Sequence, residues 1–385
     1  MRDEVKPKTR PAVARPSPNV SRANSSASSS NVPRVNSEFD FISRIKRLAE
    51  AARGRVETDG LVLGIGDDAA VLRGRGGLDS VVTADLLVED VDFRRTASPH
   101  DIGYKALAVS LSDIAAMGAR PRWTLLSLGL PRDVYDSPYA AGLYEGFLSA
   151  AREFGVTLIG GDVSRTPERI VIDSIVIGEV RRGRALLRSG ARAGDHIYVT
   201  GALGGAAAGL KLLEHAGSLR TPAARARALS GLAELVRRQT RPTPRVACGA
   251  LLGERRLASA MIDLSDGLSS DLAHLCERSG VGALLEAARI PLDPLLRRAH
   301  AVNSNRLTRA LTSDALDLAL NGGEDFELLF TVRPRVAARL PRRLGGVRLT
   351  RIGEVREARE GIKISRGGRV EILPPSGFNH FNPAR

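Results

Sequence analysis

Apolar positions recur along the chain in two rhythms. From Ser37 onward, Phe41, Ile42, Ile45, Leu48, Ala49 and Ala52 share one helical stripe, with Ser37 as N-cap and Asp40 in the first turn. Short runs rich in Val, Leu and Ile predict strands at 61–65 (with 69–72 as its continuation), 80–87, 123–130, 156–159 and 170–180, the one at 156–159 reading as buried. Ser98-Pro99 opens a helix with proline at its first position, and Gly118 closes it. A further helix is expected over 139–154.

The second half repeats the plan of a strand, a Gly/Asp-rich turn and a helix. Strand 196–200 runs through Gly201–Gly205 into a helix at 206–215, and strand 259–262 runs through Asp263–Gly267 into a helix at 268–276. Residues 220–239 read as mostly helical, and 326–332 as a strand. The Gly201–Gly205 turn is similar to a dinucleotide fingerprint, but its third glycine and later acid are out of register, which favours tight packing. A basic, Gly-containing stretch at 181–194 separates the halves. The expected architecture is α/β (α+β) with two domains, 37–187 and 188–385.

Composition changes this picture in three places. Residues 1–36 are Ser-, Pro-, Asn- and Arg-rich with almost no large apolar side chains, so they are expected to form a disordered tail. The net charge of +14 invites a nucleic-acid reading. Yet lysine occurs only at 6, 8, 46, 105, 211 and 363, and the 51 arginines are spread without interleaved aromatics, so no nucleic-acid partner is expected. No apolar run approaches the roughly 18 residues of a membrane span, and no signal-type segment opens the chain. The two cysteines, Cys248 and Cys276, lack metal spacing and fit a reducing, cytoplasmic setting.

The candidate chemistry is a set of carboxylates at strand ends or on an apolar helix face. They are Asp67 and Asp68 in Gly64-Ile65-Gly66-Asp67-Asp68, then Asp85, Asp113, Asp162, Asp263 and Asp266. Asp113 falls in line with Ile102, Ala106 and Val109, and Lys105 on a neighbouring face is available as its ion-pair partner. Two unit charges 4 Å apart repel by roughly 4 kcal/mol at an effective dielectric near 20, so such acids, if they converge, need cations. Hard oxygen ligands without His or Cys select Mg²⁺ or Ca²⁺, and Mg²⁺ commonly shares its shell with substrate phosphates. Scattered single acids without a metal remain the alternative.

Five motifs in order give the chain a family resemblance. Gly64–Asp68, the run Tyr104–Gly118, Leu158-Ile159-Gly160-Gly161-Asp162, Ile262-Asp263-Leu264-Ser265-Asp266-Gly267 and Gly322-Gly323-Glu324-Asp325 resemble thiamine-monophosphate kinase, of the PurM-like superfamily. The resemblance spans 38–381 and includes Arg184–Gly190. It implies ATP-dependent phosphorylation of thiamine monophosphate to thiamine diphosphate, with Mg²⁺ as cofactor. It also implies a homodimer formed through the N-terminal sheets. On this resemblance Asp68, Thr83, Ala84 (through its backbone), Asp85, Asp113, Asp162, Asp263 and Asp266 match metal positions. Tyr144, Gly161, Asp162, Arg188 and Ser265 match the ATP side, while Asp92, Glu324 and Phe378 match the thiamine side. Asp113, Asp162 and Arg188 are the expected catalytic residues. Three positions depart from the family pattern: Ala84 replaces a frequent Thr, Asp92 a frequent His, and Phe378 a commoner Trp or Tyr. An aminoimidazole-ribonucleotide-type synthetase and a non-catalytic nucleotide-binding module are the alternative readings.

Overall fold

Period-two alternation decides the first sheet. The computed structural model describes residues 38–53, 60–302 and 304–380; the expected tail, the Ser37 cap and Phe381 lie outside the described residues. Strands β1 (Leu61–Leu63), β2 (Ala70–Arg73), β3 (Leu78–Val88), β4 (Arg120–Leu130), β5 (Thr157–Arg165) and β6 (Val171–Arg181) form one sheet in the order β1-β2-β3-β6-β4-β5. All neighbours are antiparallel except β4 and β5. Val81, Thr83 and Leu87 on β3 and Leu126, Leu128 and Leu130 on β4 are buried on one face. Alternate residues, including Leu86 and Trp123, point the other way and stay partly exposed.

The buried face packs against helix Pro99–Ala116, whose Leu107, Leu111 and Ile114 are fully enclosed. Burying each such side chain stabilises by about 1.5–3 kcal/mol. This helix is buried nearly all round because helices Pro138–Phe154 and Val246–Glu254 pack on its other sides. The contact with Pro138–Phe154 is backbone-close. A Cβ at Gly103 would meet the Leu143 carbonyl oxygen at 1.9 Å, and one at Gly146 would meet that of His100 at 1.8 Å.

The second sheet holds β7 (His196–Thr200), β8 (Ala260–Asp263), β9 (Val281–Glu286), β10 (Leu328–Val332), β11 (Arg343–Leu344), β12 (Val347–Glu357), β13 (Ile362–Arg366) and β14 (Arg369–Ile372). Its order is β14-β13-β9-β12-β7-β10-β8, with β11 paired to β12. Two α/β domains result, each with its own sheet.

Several expectations change. Helix Glu38–Arg53 forms, but Phe41, Ile45 and Leu48 are 47%, 40% and 56% exposed, so within one chain its stripe is largely uncovered. The segment read as a buried strand is the sheet's edge strand β5, with Ile159 54% exposed, because among the described residues only β4 pairs with it. Residues 220–239 divide into Pro222–Leu229 and Ala233–Thr240 around Gly231, which takes a left-handed φ of 72°. At Gly201–Gly205 the buried Asp325 carboxylate accepts the Gly204 and Ala206 N–H groups at 2.6 and 3.2 Å. A side chain therefore fills that helix start, in keeping with the packing reading.

Candidate active site

A cleft of about 1800 Å³ is lined by the Gly64–Asp68 turn, residues 82–87 of β3, Arg188, the Ser265–Asp266 turn and the Gly323–Glu324 turn. Gly66 adopts φ +124°, a backbone conformation that side-chain-bearing residues rarely take, with the Arg278 guanidinium lying over it. The turn thereby delivers Asp67 and Asp68 beside the inward face of β3.

Three carboxylates from three separate elements meet there. Asp68, Asp113 and Asp263 each offer an oxygen, and these atoms all lie within 4.8 Å of one another. Thr83 on β3 donates its hydroxyl to Asp113 Oδ2 at 2.5 Å. Ser112, on the preceding helical position, donates to Asp263 Oδ2 at 2.7 Å and so joins the two domains. Arg188 Nε and Nη2 both donate to Asp68 Oδ1, at 3.1 and 2.6 Å, and the Arg188 backbone N–H donates to Asp67 Oδ1 at 3.1 Å. Asp68 Oδ2 and Asp85 Oδ2 are buried with no hydrogen-bond partner.

Burial and mutual repulsion raise these acids together. Asp113 is pushed well above the usual carboxylate range by burial and by Asp85, Asp263 and Asp68. Asp263 is raised to about 8 by burial and then by Asp68. Burial lifts Asp85 to about 6, the Ser110 hydroxyl opposing it and Asp173 adding to it; Asp67 reaches about 6 through burial and Asp68. Burial also raises Asp68, against the pull of Arg188. One guanidinium does not balance these groups, and a bound cation would relieve their repulsion. All its ligand atoms are hard oxygens, and two carboxylate oxygens are buried without a donor, which fits a metal such as Mg²⁺.

The other end of the cleft is organised by Lys105. Its ammonium, 4% exposed, does not pair with Asp113 as its helical position suggested. It instead meets Glu324 Oε1 at 2.5 Å and donates to the Asp92 carbonyl at 3.1 Å. Lys105 lies more than two helical turns before Asp113, too far to serve both acids, and Thr83 takes the Asp113 carboxylate. Gln239 Nε2 donates to Glu324 Oε2, and Glu324 holds a left-handed φ of 68°. Asp92 lines the cleft, where its Oδ2 accepts the Val88 N–H at 2.7 Å and burial raises its pKa. Phe378, 52% exposed, stands edge-on to His380 with ring centroids 4.8 Å apart.

Not every expected residue joins the cleft. Ser265 and Asp266 line it, as does Ala84, whose side chain points to the outward face opposite Thr83 and Asp85. Tyr144, Gly161 and Asp162 do not line it. The sheet register explains Asp162: it pairs across Ser127, Asp173 and Leu86, a row on the outward face, whereas Asp85 pairs with Ser174 on the inward one. Asp162 is exposed, and its Oδ1 accepts the neighbouring Val163 N–H at 2.9 Å.

Sequence reasoning passed over Asp271 and Gln239. Asp271 is 2% exposed, accepts the Asp266 and Gly267 N–H groups at 3.2 and 3.0 Å, and is pushed well above the usual range by burial and Asp266. Its position in the first turn of helix Leu268–Ser279 was the available signal. Gln239 gave none, because its partner Glu324 is 85 residues away.

Two domains with an acid-lined cleft define a class. The chain matches the family descriptions "AIR synthase related protein, N-terminal domain" over 66–180 and "AIR synthase related protein, C-terminal domain" over 192–365. Within that class, thiamine-monophosphate kinase of Salmonella typhimurium is 38% identical over 346 residues, covering 89% of this chain and 98% of that protein. The Bacillus subtilis thiamine-monophosphate kinase is 38% identical over 323 residues, 83% of this chain and 93% of that one. A solved structure described as AaThiL complexed with AMPPCP and TMP superposes with a TM-score of 0.74 at 32% identity, covering 91% of this chain and 100% of the other. Thiamine-monophosphate kinase from Stenotrophomonas maltophilia K279a gives a TM-score of 0.65 at 39% identity, with 85% and 96% coverage. The chain belongs to the thiamine-monophosphate kinase family.

Proposed function

We propose that the protein transfers the terminal phosphoryl group of ATP to the phosphate of thiamine monophosphate, giving thiamine diphosphate and ADP. The observation that carries this reading is the convergence of Asp68, Asp113 and Asp263 in a cleft with an under-balanced negative charge. Asp68, Asp85, Asp113 and Asp263 are the residues we assign to Mg²⁺, with the Thr83, Ala84 and Asp266 positions around them. When bound, Mg²⁺ neutralises phosphate charge that the acids alone would repel.

The attacking oxygen belongs to an ionised phosphate monoester, so the reaction needs positioning and charge neutralisation rather than a strong base. That matches a cleft whose polar floor is carboxylate, hydroxyl and guanidinium. Arg188, locked onto Asp68, fixes the orientation of that acid and brings positive charge beside the nucleotide end. Ser265, whose carbonyl accepts the Glu324 N–H at 2.7 Å, is also assigned to the nucleotide. Asp92, Glu324 and Phe378 are assigned to the thiamine end, where acids and an aromatic face suit a cationic ring.

Tyr144, Gly161 and Asp162 are assigned to the nucleotide in a homodimer. For Asp162 the outward sheet face supports this, since Trp123, Leu125, Ile175 and Ile177 share that apolar face with it. Among the described residues no helix is long and apolar enough to cross a membrane; with both cysteines free and buried, we place the activity in the cytoplasm.

The test is incubation of the protein with Mg-ATP and thiamine monophosphate. Thiamine diphosphate and ADP should appear in equal amounts. ADP release without thiamine diphosphate, or ATP binding with no turnover, would overturn the reading.

A further inference from the structure

Gln239 combines three features that together look toward a ligand. Its side chain comes from helix Ala233–Thr240 and is 6% exposed, yet the residue lines the cleft. Its amide nitrogen is committed to Glu324 Oε2, and because that partner is an acceptor the amide can be oriented only this way. The remaining atom, Oε1, is buried and has no hydrogen-bond donor. A buried acceptor without a donor is uncommon in a folded protein and marks a position where a partner is missing.

The surroundings say what kind of partner. Lys105 occupies Glu324 Oε1 at 2.5 Å, so Glu324 is held from both sides, and as an acceptor it offers no donor to Gln239 Oε1. The Lys105 ammonium is also spent on the Asp92 carbonyl. What is missing is therefore an N–H or O–H donor arriving from the cleft, beside the Glu324 carboxylate.

We propose that Gln239 is a specificity-determining residue, whose Oε1 accepts an N–H from the amino-bearing ring of the substrate while Lys105 and Glu324 hold it in place. The inference deepens the proposed function and depends on it for the substrate. Thiamine monophosphate carries an exocyclic ring amino group of the required kind. The Gln239 acceptor thus selects a ring with an amino donor over the same ring bearing an oxo group.

The test compares thiamine monophosphate with its analogue in which the ring amino group is replaced by oxygen, using wild type, Gln239→Leu and Gln239→Glu. Wild type should favour the amino substrate in kcat/KM, and Gln239→Leu should lower that preference by about tenfold or more. KM for ATP should stay within about twofold, as no ATP contact is removed. Gln239→Glu keeps an acceptor but loses the Nε2–H that Glu324 accepts, so its preference should fall between those of wild type and Gln239→Leu, and thermal melting checks that both variants fold. Equal losses on both substrates, or an unchanged preference in Gln239→Leu, would overturn the inference. Wild type that turns over neither substrate would instead count against the proposed function. Calorimetric titration of the two ligands then still reads the Gln239 preference.

Discussion

The two faces of the six-stranded sheet are one residue apart in sequence and opposite in chemistry. On β3, Asp85 faces inward to the helix Pro99–Ala116 and its pKa rises to about 6, while its neighbour Leu86 faces outward and is 60% exposed. The inward face collects Thr83 and Asp85 against Asp68 and Asp113; the outward face collects Trp123, Leu125 and the row that holds Asp173 and Asp162. An acid becomes part of a charged cluster or a surface carboxylate by strand parity alone. Chemical type gives no hint of this difference.

The sharpest way to break the comparison is on the inward side. Asp113→Asn should lower kcat by at least about 100-fold, in the range seen when a single charge-organising group is removed from an active site. The fold should survive, because Thr83 can donate to the amide oxygen and the repulsion with Asp85, Asp263 and Asp68 is relieved. Steady-state kinetics with a thermal melt check both parts, and retained turnover would remove Asp113 from the site.

Smaller in effect is the pH dependence of the metal-free protein. Asp85 at about 6 and Asp263 at about 8 hold their protons more tightly in the folded state than in the unfolded chain. Their contribution to stability is therefore present at low pH and lost as pH rises through these values. Between pH 6 and 9 the melting temperature without metal should fall, by on the order of 5 °C. Added Mg²⁺ should restore it most at the alkaline end; a melting temperature that rises over this window would contradict the inward cluster.

The outward face gives the mildest effect on folding. Trp123, 36% exposed, packs no residue of the inward core, so Trp123→Glu should leave the circular dichroism largely unchanged. Sedimentation velocity should show the proposed homodimer in wild type and a shift toward monomer in the variant. A variant that stays dimeric would direct the search for the subunit contact away from this face.

What could be read from the sequence divides along similar lines. Strong local signals sufficed for the N-terminal domain: the Ser98-Pro99 start, the alternation at 80–87 and 170–180, and the apolar line ending at Asp113 all correspond to elements of the structure. Convergence of Asp68, Asp113 and Asp263 followed from motif order and not from any local pattern, since the positions span 195 residues between first and last. The strands at 347–372 and the helices at 294–321 were not anticipated, because short, Arg-rich segments give weak periodicity. Edge position also has no local signature, which is why β5 read as buried. The pairing of Lys105 with Glu324, across 219 positions, was likewise invisible, and helical geometry pointed instead to Asp113.

The Gly103–Gly146 contact has a consequence for anyone who alters this protein. With carbonyl oxygens under 2 Å from where a methyl group would sit, two helices are spaced by their main chains and not by side-chain packing. The gauge of the site is thus set 10 residues upstream of Asp113, on a surface no substrate reaches. A randomised library aimed at new acceptor substrates can vary the rim at Asp92, Gln239 and Phe378 while these two positions are left untouched. Alanine at either one would spread the scaffold and spoil every variant that carried it, whatever had been gained at the rim.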